Sequence, residues 1–142
     1  MKLNMGGGLI KKEGFTNVDI LKGADIKHDL NKSPYPFKDN SIEYIYTSHT
    51  LEHLKEPELF FNEVQRILKK GGRCEIIVPH YKYVAAYSNF GHRGFYDKSA
   101  IDNVCMEYGH IVKTPFKLIE KKIIRCRHRI WKPKEIRWVI EK

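Results

Sequence analysis

Two histidines and a glutamate stand in the spacing H-x-x-E-H within Tyr46–Lys55, YTSHTLEHLK. His49, Glu52 and His53 thus form the inverted zinc-protease pattern. That chemistry needs the motif inside a helix, so that both imidazoles share one face, together with a third ligand elsewhere. Here His49 follows a strand-like run and Pro57 closes the stretch soon after, so a loop-to-helix junction without bound metal is expected. A second constellation lies at the N-terminus. KLNM runs straight into Gly6, Gly7 and Gly8, and FTNVDI ends in Asp19. A glycine turn at the carboxyl end of a first strand lets backbone approach a ligand closely. An acid at the tip of the second strand can accept both hydrogen bonds of a ribose diol. Two further histidines are candidates for proton transfer: His80, directly after a buried strand, and His92 in NFGHRGFY.

The elements that hold these residues follow from the apolar pattern. Strand-like segments occur at 2–5, 15–20, 24–30, 41–47 and 73–79, and two longer ones at 116–127 and 135–141, separated by a turn at Trp131-Lys132-Pro133. NKSPYPFKDN is a loop by its prolines and Asp-Asn. A helix starts at Pro57, repeats Leu59, Phe60, Val64, Ile67 and Leu68, and stops at Lys69-Lys70-Gly71-Gly72. A second helix is expected from a cap at Asp97 to about Tyr108, closed by Gly109. This order predicts one domain over 1–142, an α/β doubly wound and mostly parallel sheet with a C-terminal antiparallel hairpin.

Leu9 to Phe15 leaves no room for a full helix after the glycines, and these are not spaced G-x-G-x-x-G, which argues against a nicotinamide dinucleotide. Leu21–Gly23 is likewise too short for a crossover helix. Helices on one sheet face are therefore expected to be reduced. Because parallel sheets are normally covered on both faces, a second copy of the chain is expected to cover it.

The blocks KLNMGGG, GFTNVDI, ADIKHDLNKSPYPFKDNSIEYIYTSHTLEHL and ELFFNEVQRILKKGGRCEIIVP resemble the class I S-adenosylmethionine-dependent methyltransferases, in particular their small type 11-like members. The resemblance implies a cofactor site at Gly6, Gly7 and Gly8 beside the methionine part and at Asp19 on the ribose. Asp29 and Leu30 would meet the adenine, with Ser48 and His49 on the other side. It implies S-adenosylmethionine as cofactor and leaves the methyl acceptor unidentified. Asn4 departs from the family, many members of which carry an acid there. Tyr81, Tyr83, Tyr87, Phe90, Phe95 and Tyr96 are candidates to wall an acceptor pocket.

The net charge of +9 is concentrated in 121–137, with eight Lys or Arg against one acid. Arg125, Arg127 and Arg129 alternate and would share one strand face, which suits a nucleic acid or another phosphate-bearing partner. A catalytically degenerate binding module for such a partner is the alternative to an enzyme. Three scattered cysteines fit reduced thiols in the cytoplasm, and no apolar run reaches the roughly 20 residues of a membrane span.

Overall fold

In a computed structural model, residues 1–106, 111–126 and 129–142 are described. Seven strands form one sheet in the order β3-β2-β1-β4-β5-β7-β6. They are β1 (Lys2–Met5), β2 (Thr16–Asp19), β3 (Ile26–Lys27), β4 (Ile42–Ser48), β5 (Leu68–Pro79), β6 (Lys117–Cys126) and β7 (Arg129–Glu141). The first five pair in parallel, and β7 runs antiparallel to both β5 and β6. The doubly wound sheet and its closing hairpin are as the sequence pattern predicts.

Register decides which side chains enter the core. Leu3 and Met5 sit opposite Ile45 and Thr47, which pair with Cys74 and Ile76, which pair with Ile140 and Trp138. All eight are buried. Helix α1 (Pro57–Ile67) covers this face with Phe60, Phe61, Val64 and Ile67. The opposite face carries Tyr44, Tyr46, Glu75 and Arg137. There the Tyr44 hydroxyl donates to Glu75 Oε2 at 2.6 Å, and the Arg137 guanidinium joins Glu75 and Glu120, both at 2.6 Å. Between β1 and β2, and between β2 and β3, the described chain forms turns and no helix. The expected reduction of helices is therefore real. The face opposite α1 is built from polar and aromatic groups, several of them paired with one another.

Four local expectations need correction. The helix stops at Ile67, because Leu68 turns extended (φ −64°, ψ 140°) and pairs with Ile42. The Lys69–Gly72 segment then belongs to β5 as an irregularity, with Gly71 at φ +75°. Gly71 N–H donates to the Lys142 carbonyl, and Lys142 N–H to that of Gly72. The glycine pair thus admits the C-terminal strand's end and does not cap a helix. In ADIKHDL only Ile26 and Lys27 pair. Asp97 does cap, accepting from Ser99 and Ala100 N–H, but the turn it starts is a 3₁₀ segment, Lys98–Ile101, followed by the short α2 (Asp102–Cys105). Tyr108 and Gly109 lie outside the described residues. Trp131 to Pro133 lie inside β7, and the hairpin closes where Cys126 pairs with Arg129. Pro133 is tolerated because it faces Arg125 at a register shift, where a missing N–H costs no ladder bond.

The proline loop takes over work that a helix would do. Tyr35 and Phe37 are buried, and the Tyr35 hydroxyl donates to the Leu30 carbonyl at 2.8 Å. Arg66 of α1 donates to the carbonyls of Phe37 and Tyr35 and pairs with Glu63 at 2.7 Å, while Glu63 also accepts from Tyr35 N–H at 2.6 Å. Burial works against the Glu63 carboxylate, but these donors hold its pKa below the ordinary carboxylate value. A depressed carboxyl contributes stability that is complete above its unfolded value, about 4.3, and lost as pH falls through the folded value. Glu63→Gln is expected to cost about 1.5 kcal/mol at pH 7. In urea titrations the gap between variant and parent should close below about pH 4. A constant gap would mean that charge is not what Glu63 contributes.

Candidate cofactor crevice

β1 and β2 pair Asn4 with Asn17, and these two amides shape the turn that follows. Asn4 Nδ2 donates to Asn17 Oδ1 and to the Ile10 carbonyl, both at 3.1 Å, and Asn17 Nδ2 donates to the Gly8 carbonyl at 2.8 Å. An acid at position 4 could make neither donation, which gives the departure from the family a structural reason. Gly6 and Gly8 take left-handed backbone, φ +70° and +59°. A side chain on Gly6 would run into Thr50, and one on Gly7 into Asn4 and Asn17. The acid at the tip of β2 closes the turn: Asp19 Oδ2 accepts from Gly8 N–H at 2.8 Å and Oδ1 from Leu21 N–H at 3.0 Å. Each oxygen keeps a second lone pair.

Those lone pairs belong to a trough at the carboxyl ends of the parallel strands, where ligands of such sheets bind. One cavity, about 230 Å³, is lined by Gly6, Asp19, Asp29, Leu30, His49 and His53 among others. A second, about 510 Å³, is lined by Gly6, Gly7, Gly8, Ser48 and His49 with Lys11 and Lys12. Gly6 and His49 border both, so the cavities adjoin along the end of β1. The sequence reasoning did not single out Lys11, Lys12 or Thr50. The pair of lysines directly behind GGGLI was the available signal for a positive wall.

The end of β4 supplies the other wall. His49 adopts φ +54°, left-handed backbone that few residues with a side chain take, with its N–H donating to the Ile77 carbonyl at 2.9 Å. Its ring stands 3.4 Å from both Glu52 and Glu135. Glu52 above all, and then Glu135, hold its pKa above the ordinary imidazole value against partial burial.

Residues 11–76 match the family described as a methyltransferase domain. In overall structure the chain is similar to an S-adenosylmethionine-dependent methyltransferase from Mesorhizobium loti, with a TM-score of 0.73 at 13% identity over 99% of this chain and 90% of that one. It is similar to a second such enzyme, from Archaeoglobus fulgidus, with a TM-score of 0.70 at 15% identity over 99% and 85%. Residues 11–76 thus match a methyltransferase domain, and the whole chain has the fold of these enzymes. A stretch of 56 residues is 29% identical to phosphoethanolamine N-methyltransferase 2 of Caenorhabditis elegans, covering 39% of this chain and only 13% of that relative's length. The same fold also serves the [4+2]-cyclase SpnF, at a TM-score of 0.72 and 12% identity over 99% of this chain and 74% of that one. Fold alone therefore leaves the reaction open.

The two base candidates, His80 and His92, line neither cavity. His80 is 5% exposed and stacked on Tyr81 at 4.9 Å; its Nδ1 accepts from Lys82 N–H at 3.1 Å, and burial lowers its pKa. Its one free lone pair is thereby engaged. His92 places Nδ1 2.9 Å from the Ala86 carbonyl and packs edge-on against His53. Among the aromatics, Tyr96 packs on Trp138, Tyr87 stacks on Phe95, and Phe90 is fully exposed. Arg125 lies on β6; Arg127 and the side chain of Arg129 lie outside the described residues. Among the described residues Cys74 and Cys105 are free thiols, and no helix is long and apolar enough to cross a membrane.

Proposed function

We propose that this chain binds S-adenosylmethionine in the trough and transfers its methyl group to an acceptor not yet identified. The observation that carries this reading is the Asp19 carboxylate, fixed by Gly8 and Leu21 N–H groups and bordering a cavity on the turn they belong to. The donor set fits the ligand. Asp19 has lone pairs for two ribose hydroxyls, Asp29 and Leu30 border the adenine end, and Gly6 to Gly8 with Ser48 leave room for the methionine part. Lys11 and Lys12 offer charge to its carboxylate. When bound, the cofactor supplies an electrophilic methyl on a sulfonium.

What the protein adds is alignment and exclusion of water, which suffices for an acceptor that is already nucleophilic. Where the acceptor must lose a proton, His80 is not the group to receive it, since its lone pair is engaged. The free thiols support a cytoplasmic setting. Calorimetric titration with S-adenosylhomocysteine is expected to give one site per chain, with micromolar or tighter affinity, while NAD gives none. Absence of heat and of any melting shift with S-adenosylhomocysteine would remove the enzyme reading.

A further inference from the structure

Glu52 is 1% exposed, and neither of its carboxylate oxygens has a hydrogen-bond partner. Its nearest cation is His49, 3.4 Å away, a ring that it shares with Glu135 on the other side. A buried carboxylate in this condition calls for a positive ligand. Two imidazoles stand ready to share one. His53 Nδ1 lies 3.1 Å from the Gly91 carbonyl and His92 Nδ1 lies 2.9 Å from the Ala86 carbonyl. A carbonyl only accepts, so both Nδ1 atoms carry the proton, and the free lone pair of each neutral ring is on Nε2. Fixing Nδ1 on a carbonyl is how proteins orient a metal-ligating histidine.

The rings meet edge to face, 4.6 Å between centroids. One ligand atom each from Glu52, His53 and His92 lies within 4.8 Å of the others. The scaffold is tied together: the Glu52 carbonyl accepts from Arg93 N–H at 2.6 Å and Gly94 N–H at 3.1 Å. The loop bearing His92 is thus clamped to the 3₁₀ turn, Leu51–His53, that bears the other two ligands.

We propose that Glu52, His53 and His92 form a binding site for a divalent transition metal of the zinc class, with two nitrogen ligands, one oxygen ligand and an open position. The H-x-x-E-H spacing therefore contributes its last two residues, and the second histidine comes from NFGHRGFY. A helix is unnecessary because the 3₁₀ turn and the clamped loop converge. Three protein ligands and an open position describe a reactive metal site, not a structural one. His53 also borders the cavity that holds Asp19, so the three residues stand at the edge of the crevice. Resting on the methyltransferase reading, its ligand class is an acceptor hydroxyl, whose pKa the metal lowers.

The test is titration of chelator-stripped protein with Co²⁺, followed by visible absorption, and with Zn²⁺ in competition. One equivalent is expected, with the intense bands of low-coordinate cobalt, and at least 10-fold weaker binding in Glu52→Gln and in His92→Ala. His92→Ala is the safer variant, being only half-buried, while His28→Ala should bind as the parent does. Failure to take up one equivalent at about 100 μM metal, or unchanged affinity in His92→Ala, would overturn the site. Melting with S-adenosylhomocysteine on stripped protein reports on the enzyme reading separately. Metal uptake without that shift keeps the site and overturns its role toward an acceptor.

Discussion

Asp19→Ala is expected to abolish the rise in melting temperature that S-adenosylhomocysteine produces, with affinity falling by more than about 100-fold. Two hydrogen bonds from a ribose diol to one carboxylate are lost together, and bonds to a charged acceptor contribute about 1.5–3 kcal/mol each. The free protein will also soften, because Gly8 and Leu21 N–H lose their acceptor. The ligand-induced shift, not the absolute melting temperature, is therefore the quantity to read. Asp25→Ala supplies the control. Asp25 likewise accepts a backbone N–H, that of Asn17 at 2.9 Å, and pairs with Lys11 at 2.8 Å, yet it borders neither cavity. It should lower stability by a comparable amount and leave the ligand shift in place. If Asp19→Ala keeps the shift, the trough is not holding a ribose at that carboxylate.

The features legible in the sequence are those in which local chemistry and fold agree. Glycines after a first strand, an acid at the tip of the second, and Pro57 at a helix start each have one economical place in a doubly wound sheet. The misplaced boundaries have a common physical cause: their partners are remote in sequence. Lys69–Gly72 has the composition of a helix stop, and only the pairing of Gly71 and Gly72 with Lys142 makes it strand. Pro133 marks a turn by composition, and only its position opposite Arg125 makes it a tolerated irregularity.

The same holds at the site. Asn4 is an unexplained departure until its amide is found bridging Asn17 and Ile10. Glu52 lies in a visible motif, but nothing local indicates that its carboxylate is buried or that His92, far along the chain, lies beside it. Charge patterning was least informative. Several basic side chains are held in pairs with acids, such as Arg137 with Glu75 and Arg66 with Asp39.

The glycine turn offers a test that separates backbone requirement from ligand contact. Gly6→Ala is expected to destabilise the chain by about 3 kcal/mol, from two additive sources. Left-handed backbone at φ +70° costs a residue with a Cβ about 1–2 kcal/mol. The new methyl would also meet the Thr50 side chain, whose hydroxyl lies 3.3 Å from the carbonyls of Met5, Gly6 and Ser48 and cannot swing away freely. Gly8→Ala isolates the first source. Its φ is +59°, but an added Cβ meets nothing within 4 Å, so stability should fall by only about 1–2 kcal/mol. Because Gly8 borders the larger cavity, the same methyl should weaken S-adenosylhomocysteine. Urea unfolding of both variants, and of Gly6→Ala combined with Thr50→Ala, gives the decision. The double variant should recover part of the loss, because the clash is relieved while the backbone strain stays. Equal destabilisation in the two glycine variants would mean that Thr50 yields and that the turn tolerates a wider approach than its packing indicates.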